Sequence, residues 1–99
     1  MRRLRIPDEV ASLVRTLHPD IKRKVRVALG EVLEDPGAGK ALKDELEGLH
    51  SYPVGRIRIV YRETSRERIE VVAIGPRTSI YQETYRLVKR DRKGGRRRG

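Results

Sequence analysis

The chain has 99 residues, with 24 Lys or Arg against 14 Asp or Glu, a formal net charge of +10 and no cysteine. That length supports one modest core and excludes a second folded unit. The absence of cysteine excludes a disulfide framework and thiolate metal sites, which fits a reducing cytoplasm. No apolar run approaches a membrane span, and the opening Met-Arg-Arg-Leu-Arg-Ile-Pro has no apolar stretch behind its charges, so neither a signal peptide nor a membrane partner is expected.

The charge divides unevenly. Residues 89–99 hold seven basic residues and one acidic, a net +6, whereas residues 1–88 hold 17 basic and 13 acidic, a net +4. The expected organisation is one mildly basic domain over residues 1–90, followed by a disordered basic tail over residues 91–99. Such a balance favours polyanionic partners through phosphate neutralisation and counterion release; it carries no information on sequence specificity.

Arg3, Leu4, Arg5 and Ile6 alternate, which predicts a short first strand closed by Pro7. Pro7-Asp8-Glu9 then reads as a helix start, with an early proline and acids where the helix dipole favours them. Val10, Leu13, Val14 and Leu17 recur at helical spacing, so a first helix is predicted at about residues 8–17. His18 reads as a cap. Ile21, Val25, Ala28, Leu29 and Val32 form the stripe of a second helix, which Asp35-Pro36-Gly37 ends. Lys22, Arg23, Lys24 and Arg26 lie mostly off that stripe and read as a solvated face. The two helices form a hairpin whose apolar side covers a sheet.

Residues 37–51 are less regular, with one short helical turn or packed connection around Leu42, Leu46 and Leu49. A strand begins near Ser51-Tyr52, and Pro53 marks an edge, a bulge or a turn in it. From Arg56 the chain alternates: Ile57, Ile59 and Tyr61 share one face, and Arg56, Arg58, Val60 and Arg62 share the other. Tyr61 reads as core. Thr64-Ser65-Arg66-Glu67 is a turn. Residues 69–74 are apolar on both faces apart from Glu70, as suits a central strand, and Gly75-Pro76 breaks it. Ser79 and Gln82 have capping-box spacing, which predicts a last helix at about residues 80–90 with Ile80, Leu87 and Val88 packed. The class is therefore α+β: an N-terminal helical hairpin packed on a small, mainly antiparallel β-sheet, with a C-terminal helix. One sheet face meets the helices, and the other is expected to be open and to carry Arg58.

Three pieces of the chain, in this order and spacing, resemble the RelE/ParE toxin superfamily and its RelE branch in particular. They are Leu46-Glu47-Gly48-Leu49-His50-Ser51, then Gly55-x-x-Arg58-Ile59-Val60-Tyr61, then Ile74-Gly75-x-Arg77-x-x-x-Tyr81. The resemblance covers about residues 2–88. It implies a compact fold like that of microbial ribonucleases, and the toxin half of a type II toxin–antitoxin system. The implied activity is cleavage of messenger RNA on the ribosome. The implied partners are a cognate antitoxin, in a hetero-oligomer, together with messenger RNA and the ribosome. By position, Arg58, Arg77 and Tyr81 match the family's active-site residues. Many relatives carry basic residues where this chain has Pro53, Val54 and Pro76. Lys40, Lys43, His50 and Arg56 are the candidates to hold RNA in their stead.

The chemistry of RNA self-cleavage suits the first three. Attack by the 2′-hydroxyl needs in-line geometry, a proton acceptor, a proton donor for the leaving oxygen, and charge stabilisation on the phosphoryl oxygens. Arg58 and Arg77 supply paired N–H donors for the last. Tyr81, in the first turn of the last helix, stacks on a base or handles a proton. His50 has the side chain suited to acid–base work near neutrality, or else a local turn role. No metal-ligand cluster or phosphate-cradling glycine loop is present in the sequence, so no cofactor or metal is expected. Two other functions fit the same sequence: a ParE-like poison of DNA gyrase on the same fold, and a basic RNA- or ribosome-binding module without catalysis.

Overall fold

A computed structural model describes the backbone of residues 2–97 and the side chains of residues 2–90. The side chains of the tail expected at residues 91–99 lie outside those described. The elements run β1 (Arg3–Arg5), α1 (Asp8–Arg15), α2 (Pro19–Glu34), β2 (Lys40–Ala41), β3 (Leu49–Val54), β4 (Ile57–Ser65), β5 (Arg68–Pro76) and α3 (Ile80–Arg97), with single 3₁₀ turns at Pro36–Ala38 and Asp44–Leu46. The strands form one sheet in the order β1-β5-β4-β3-β2. β1 runs parallel to β5 and the other pairings are antiparallel. The expected α+β class holds, with one short strand, β2, that the sequence did not announce. α3 starts where expected and continues past residue 90.

Local chemistry explains the boundaries. His18 Nδ1 accepts the Asp20 amide at 3.1 Å and caps α2, whose first residue is Pro19. Asp35 Oδ1 accepts the Gly37 amide at 3.0 Å and turns the chain out of α2. Gly55, at φ +60°, opens a two-residue turn between β3 and β4, where a left-handed first position favours glycine. β3 runs through Pro53, which pairs with Arg58. Proline is tolerated there because β2 pairs only with His50 and Ser51, leaving the outer edge of β3 beside Pro53 unpaired. Ser79 precedes α3 and its carbonyl accepts the Glu83 amide at 3.1 Å. The reciprocal side-chain bonds of a capping box do not form among the described residues, so the sequence spacing located this helix start without supplying its cap.

The main core lies between the hairpin and one sheet face. Val25, Ala28 and Val32 of α2 meet Ile59, Tyr61, Ile69, Val71 and Ile74 of β4 and β5. Burying each aliphatic side chain there stabilises the fold by roughly 1.5–3 kcal/mol. Ile21 and Leu13, which share the helical stripes, remain 37% and 41% exposed because they sit at the hairpin's margin. Tyr61 is fully buried; its hydroxyl donates to the Pro36 carbonyl at 2.7 Å and accepts the Gly39 amide at 2.9 Å. Gly39 has no room for a side chain, since a Cβ would lie 2.6 Å from the Tyr61 hydroxyl.

The second sheet face is not open, contrary to expectation. α3 and the loop before β3 cover it: Ile80, Leu87 and Val88 join Leu42, Leu46, Leu49, Val60 and Ala73 in a second cluster. The reason is the apolar character of β5 on both sides, helped by a β-bulge between β4 and β5 that turns both Val72 and Ala73 toward this cluster. α3 follows β5 by a short turn and packs back, approaching so closely that a Cβ on Gly75 would lie 3.2 Å from Ile80 and from the Glu83 carboxylate. The two ends of this face keep some exposure: Arg58 is half-buried at one, and Arg62 is exposed at the other.

Candidate functional site

Strand register decides which candidates meet. Ser51, Pro53 and Arg58 share a face, because Ser51 opposes Val60 and Pro53 opposes Arg58. Arg58 also opposes Gly75, the residue over which α3 begins. The ladder continues one step past Pro76: the Arg77 amide donates to the Arg56 carbonyl at 3.0 Å. Arg56, Arg58 and Arg77 therefore gather at one end of β4 and β5, beside the first turn of α3, which carries Tyr81.

The contact that organises this end is the Ser51 hydroxyl. It is fully buried, and it accepts from Arg58 Nη1 at 2.9 Å and from the Tyr81 hydroxyl at 3.2 Å. Arg58 and Tyr81 are half-buried, while Arg56 and Arg77 are exposed. The Arg77 guanidinium forms no hydrogen bond or ion pair with another described residue, so its donors face solvent. Cationic donors beside a helix N-terminus make a surface that attracts phosphate.

The other candidates divide. Lys40 opposes Ser51 across β2 and β3, so it stands on the edge of the same face and is exposed. Lys43 is exposed in the loop that follows. His50 does not belong to the site. It alternates with Ser51 on β3, which places it on the opposite face, where its ring stacks on Tyr61 with centroids 5.4 Å apart. Its Nδ1 is buried with no hydrogen-bond partner among the described residues. Val54 is likewise buried in the main core. The positions of β3 that do reach the site are Ser51 and Pro53. Sequence reasoning did not single out Ser51, although counting back from the Gly55 turn places it on the Arg58 face.

A separate groove of about 680 Å³ runs along β5 between α1 and α3, lined in part by Val10, Leu13, Val72 and Leu87. None of Ser51, Arg58, Arg77 and Tyr81 lines it. At its mouth Glu70 joins Arg5 of β1 to Arg62 of β4, the latter through Nε at 2.8 Å and Nη2 at 2.7 Å. Burial pushes the Glu70 carboxyl up, but the hydrogen bonds and charge of Arg62, then of Arg5, outweigh that and hold it below the ordinary carboxylate value.

Residues 4–81 match the family described as "ParE toxin of type II toxin-antitoxin system, parDE". A curated relative, Toxin RelE of Mycobacterium tuberculosis, is 31% identical over 80 residues, covering 79% of this chain and 72% of that protein. The chain belongs to the RelE/ParE superfamily of toxins. Solved structures agree. The toxin–antitoxin complex RelBE2 from M. tuberculosis contains a chain that superposes with a TM-score of 0.66 at 25% identity, over 77% of this chain and 98% of that one. A mutant of the E. coli toxin RelE in the free state has a TM-score of 0.71 at 18% identity, over 91% of this chain and 96% of that one, a likeness of fold. The chain is thus a RelE-like toxin of a type II toxin–antitoxin system, and the superfamily anticipated from its three motifs is the one it matches. No helix among the described residues is long and apolar enough to cross a membrane.

Proposed function

We propose that this toxin is an endoribonuclease that cleaves messenger RNA on the ribosome by attack of the RNA's own 2′-hydroxyl. The observation that carries the reading is the convergence of Arg58 and Tyr81 on one buried hydroxyl, with Arg77 at the same end of the sheet. Arg77 and the free N–H groups of Arg58 stabilise charge on the phosphoryl oxygens as it develops, and they act most strongly where water is partly excluded. Tyr81 orients a base by stacking, with a proton role second. In self-cleavage the O2′–P bond forms as the P–O5′ bond breaks. The 2′-hydroxyl proton leaves to an acceptor and the 5′-oxygen gains one, so the products are a 2′,3′-cyclic phosphate and a 5′-hydroxyl. Arg56, Lys40 and Lys43 add sequence-independent affinity for the RNA backbone, as do the basic residues of the 91–99 tail.

The partners follow. The RelBE2 neighbour is a toxin–antitoxin complex, and we assign this chain a cognate antitoxin that silences it in a hetero-oligomer in the cytoplasm. A second reading is favoured by the family match itself, which is to ParE toxins: a poison of DNA gyrase. Incubating the purified toxin with messenger RNA on programmed ribosomes, beside a gyrase supercoiling reaction, separates the two. New RNA fragments ending in a cyclic phosphate support the first; inhibition of supercoiling without RNA fragments supports the second.

A further inference from the structure

We propose that Ser51 is a positioning residue of the toxin, one that holds Arg58 and Tyr81 in their working arrangement; this role rests on the ribonuclease reading above. The two side chains arrive from different elements, Arg58 from the middle sheet strand β4 and Tyr81 from the first turn of α3. Neither bonds the other directly among the described residues. Both donate to Ser51 Oγ, from Nη1 at 2.9 Å and from the phenol at 3.2 Å.

The choice of side chain is physically specific. A serine hydroxyl offers two acceptor lone pairs, and both are used here. One of the five guanidinium N–H groups of Arg58 is spent on the tether, which fixes the plane of the fork and leaves the others for a phosphate. The tether also sets the phenol ring of Tyr81 at a fixed distance from that fork, with its hydroxyl proton committed to Ser51. Ser51 itself is fully buried, which suits a role of holding these two groups rather than of meeting the RNA. Its neighbour on the same face, Pro53, has no side-chain donor or acceptor that substitutes for it. Register across β2 and β3 puts exposed Lys40 beside it, but a lysine ammonium only donates and cannot accept the two bonds.

The test uses the full-length toxin and the variants Ser51→Ala, Ser51→Thr and Ser51→Cys. Two quantities are read: cleavage of messenger RNA on programmed ribosomes, and rotation of the Arg58 guanidinium followed by nitrogen NMR in the free protein. Ser51→Ala is expected to lower the maximal cleavage rate about tenfold to a hundredfold with little change in KM, the signature of misplaced groups. It is also expected to convert a slowly rotating Arg58 Nη pair into a fast one. Ser51→Thr, which keeps the hydroxyl, retains most of both. In a Tyr81→Phe background Ser51→Ala costs less than in the wild type, because one of its two tethers is already gone.

Wild-type cleavage by Ser51→Ala, or a purely additive cycle with Tyr81→Phe, overturns the proposal. If Ser51→Ala does not fold, Ser51→Cys decides: it is close to serine in size but a weak acceptor, so wild-type cleavage by it overturns the role. If the wild type cleaves no RNA yet holds Arg58 in slow rotation, the ribonuclease reading has failed and the positioning role with it, while the hydrogen bond stands. If the wild type cleaves RNA but Arg58 rotates freely, the tether alone is refuted.

Discussion

The Arg77 amide donates to the Arg56 carbonyl at 3.0 Å, so β4 and β5 stay joined one step beyond the last residue of β5. That single bond carries Arg77 past Pro76 and sets it at the end of the sheet where Arg58 and Tyr81 already meet. It also separates two kinds of basic residue. All three arginines lie at this end, but Arg58 is bonded to the buried Ser51 and Arg77 leads into α3, whereas Arg56 sits in the hairpin turn.

Substitution should reflect that difference. Arg77→Ala and Arg58→Ala are each expected to lower the cleavage rate by about 10²–10³, the usual cost of one lost donor to a developing phosphoryl charge. Arg56→Ala is expected to weaken RNA binding at all sequences and to reduce the slope of log affinity against log salt by about 1, with the maximal rate kept. Single-turnover cleavage and binding titrations over a salt series measure both.

His50 provides the contrasting case. Its ring stacks on Tyr61 on the face turned to α2, so His50→Ala is expected to leave cleavage and its pH dependence unchanged. The same substitution should lower stability by roughly 0.5–1.5 kcal/mol through the lost aromatic pair. A cleavage rate that falls together with unchanged denaturant midpoints would put His50 back into the site.

How much of this was legible beforehand follows from strand alternation. The Ile57/Ile59/Tyr61 face and the Arg58 face were readable because β4 alternates cleanly. The packing of Ile80, Leu87 and Val88 was readable from helical spacing. What stayed hidden depended on register between segments. His50 and Ser51 are adjacent in sequence and on opposite faces in space, and only the pairing across the Gly55 turn tells which one meets Arg58. The covering of the second face by α3 was hidden for a related reason. A both-sided apolar strand signals two covered faces, but the second layer here is supplied by a helix that follows the strand after a short turn.

The Tyr61–Gly39 contact predicts a pair of stability effects. Tyr61→Phe leaves the Pro36 carbonyl and the buried Gly39 amide without their partner, at a cost of about 1–3 kcal/mol. Gly39→Ala forces a methyl to within 2.6 Å of the Tyr61 hydroxyl and is expected to cost a similar amount, about 1–3 kcal/mol. In a domain of this size each kcal/mol lowers Tm by roughly 4–8 °C, which calorimetry resolves. Because both changes act on one contact, the double variant should cost less than the sum.

Glu70 sets an acid limb. Its carboxyl is held below the ordinary value, since the hydrogen bonds and charges of Arg62 and Arg5 outweigh the effect of burial. A carboxyl depressed in the folded state contributes stability above its unfolded value, about 4.3, and loses that contribution as pH falls through the lower folded value. Glu70→Gln is therefore expected to be less stable at neutral pH and to lose less on acidification. Urea midpoints from pH 7 down to pH 3 report this, and parallel curves for the two proteins would contradict it.

The most direct measurement of the central claim is to map messenger RNA ends in a translation reaction given the wild-type toxin, Arg58→Ala or Arg77→Ala. Cleavage within the ribosomal A site, leaving cyclic phosphate ends and lost by at least tenfold in both variants, is the predicted result. An absence of new ends with the wild type, or ends that persist undiminished in both variants, would contradict it.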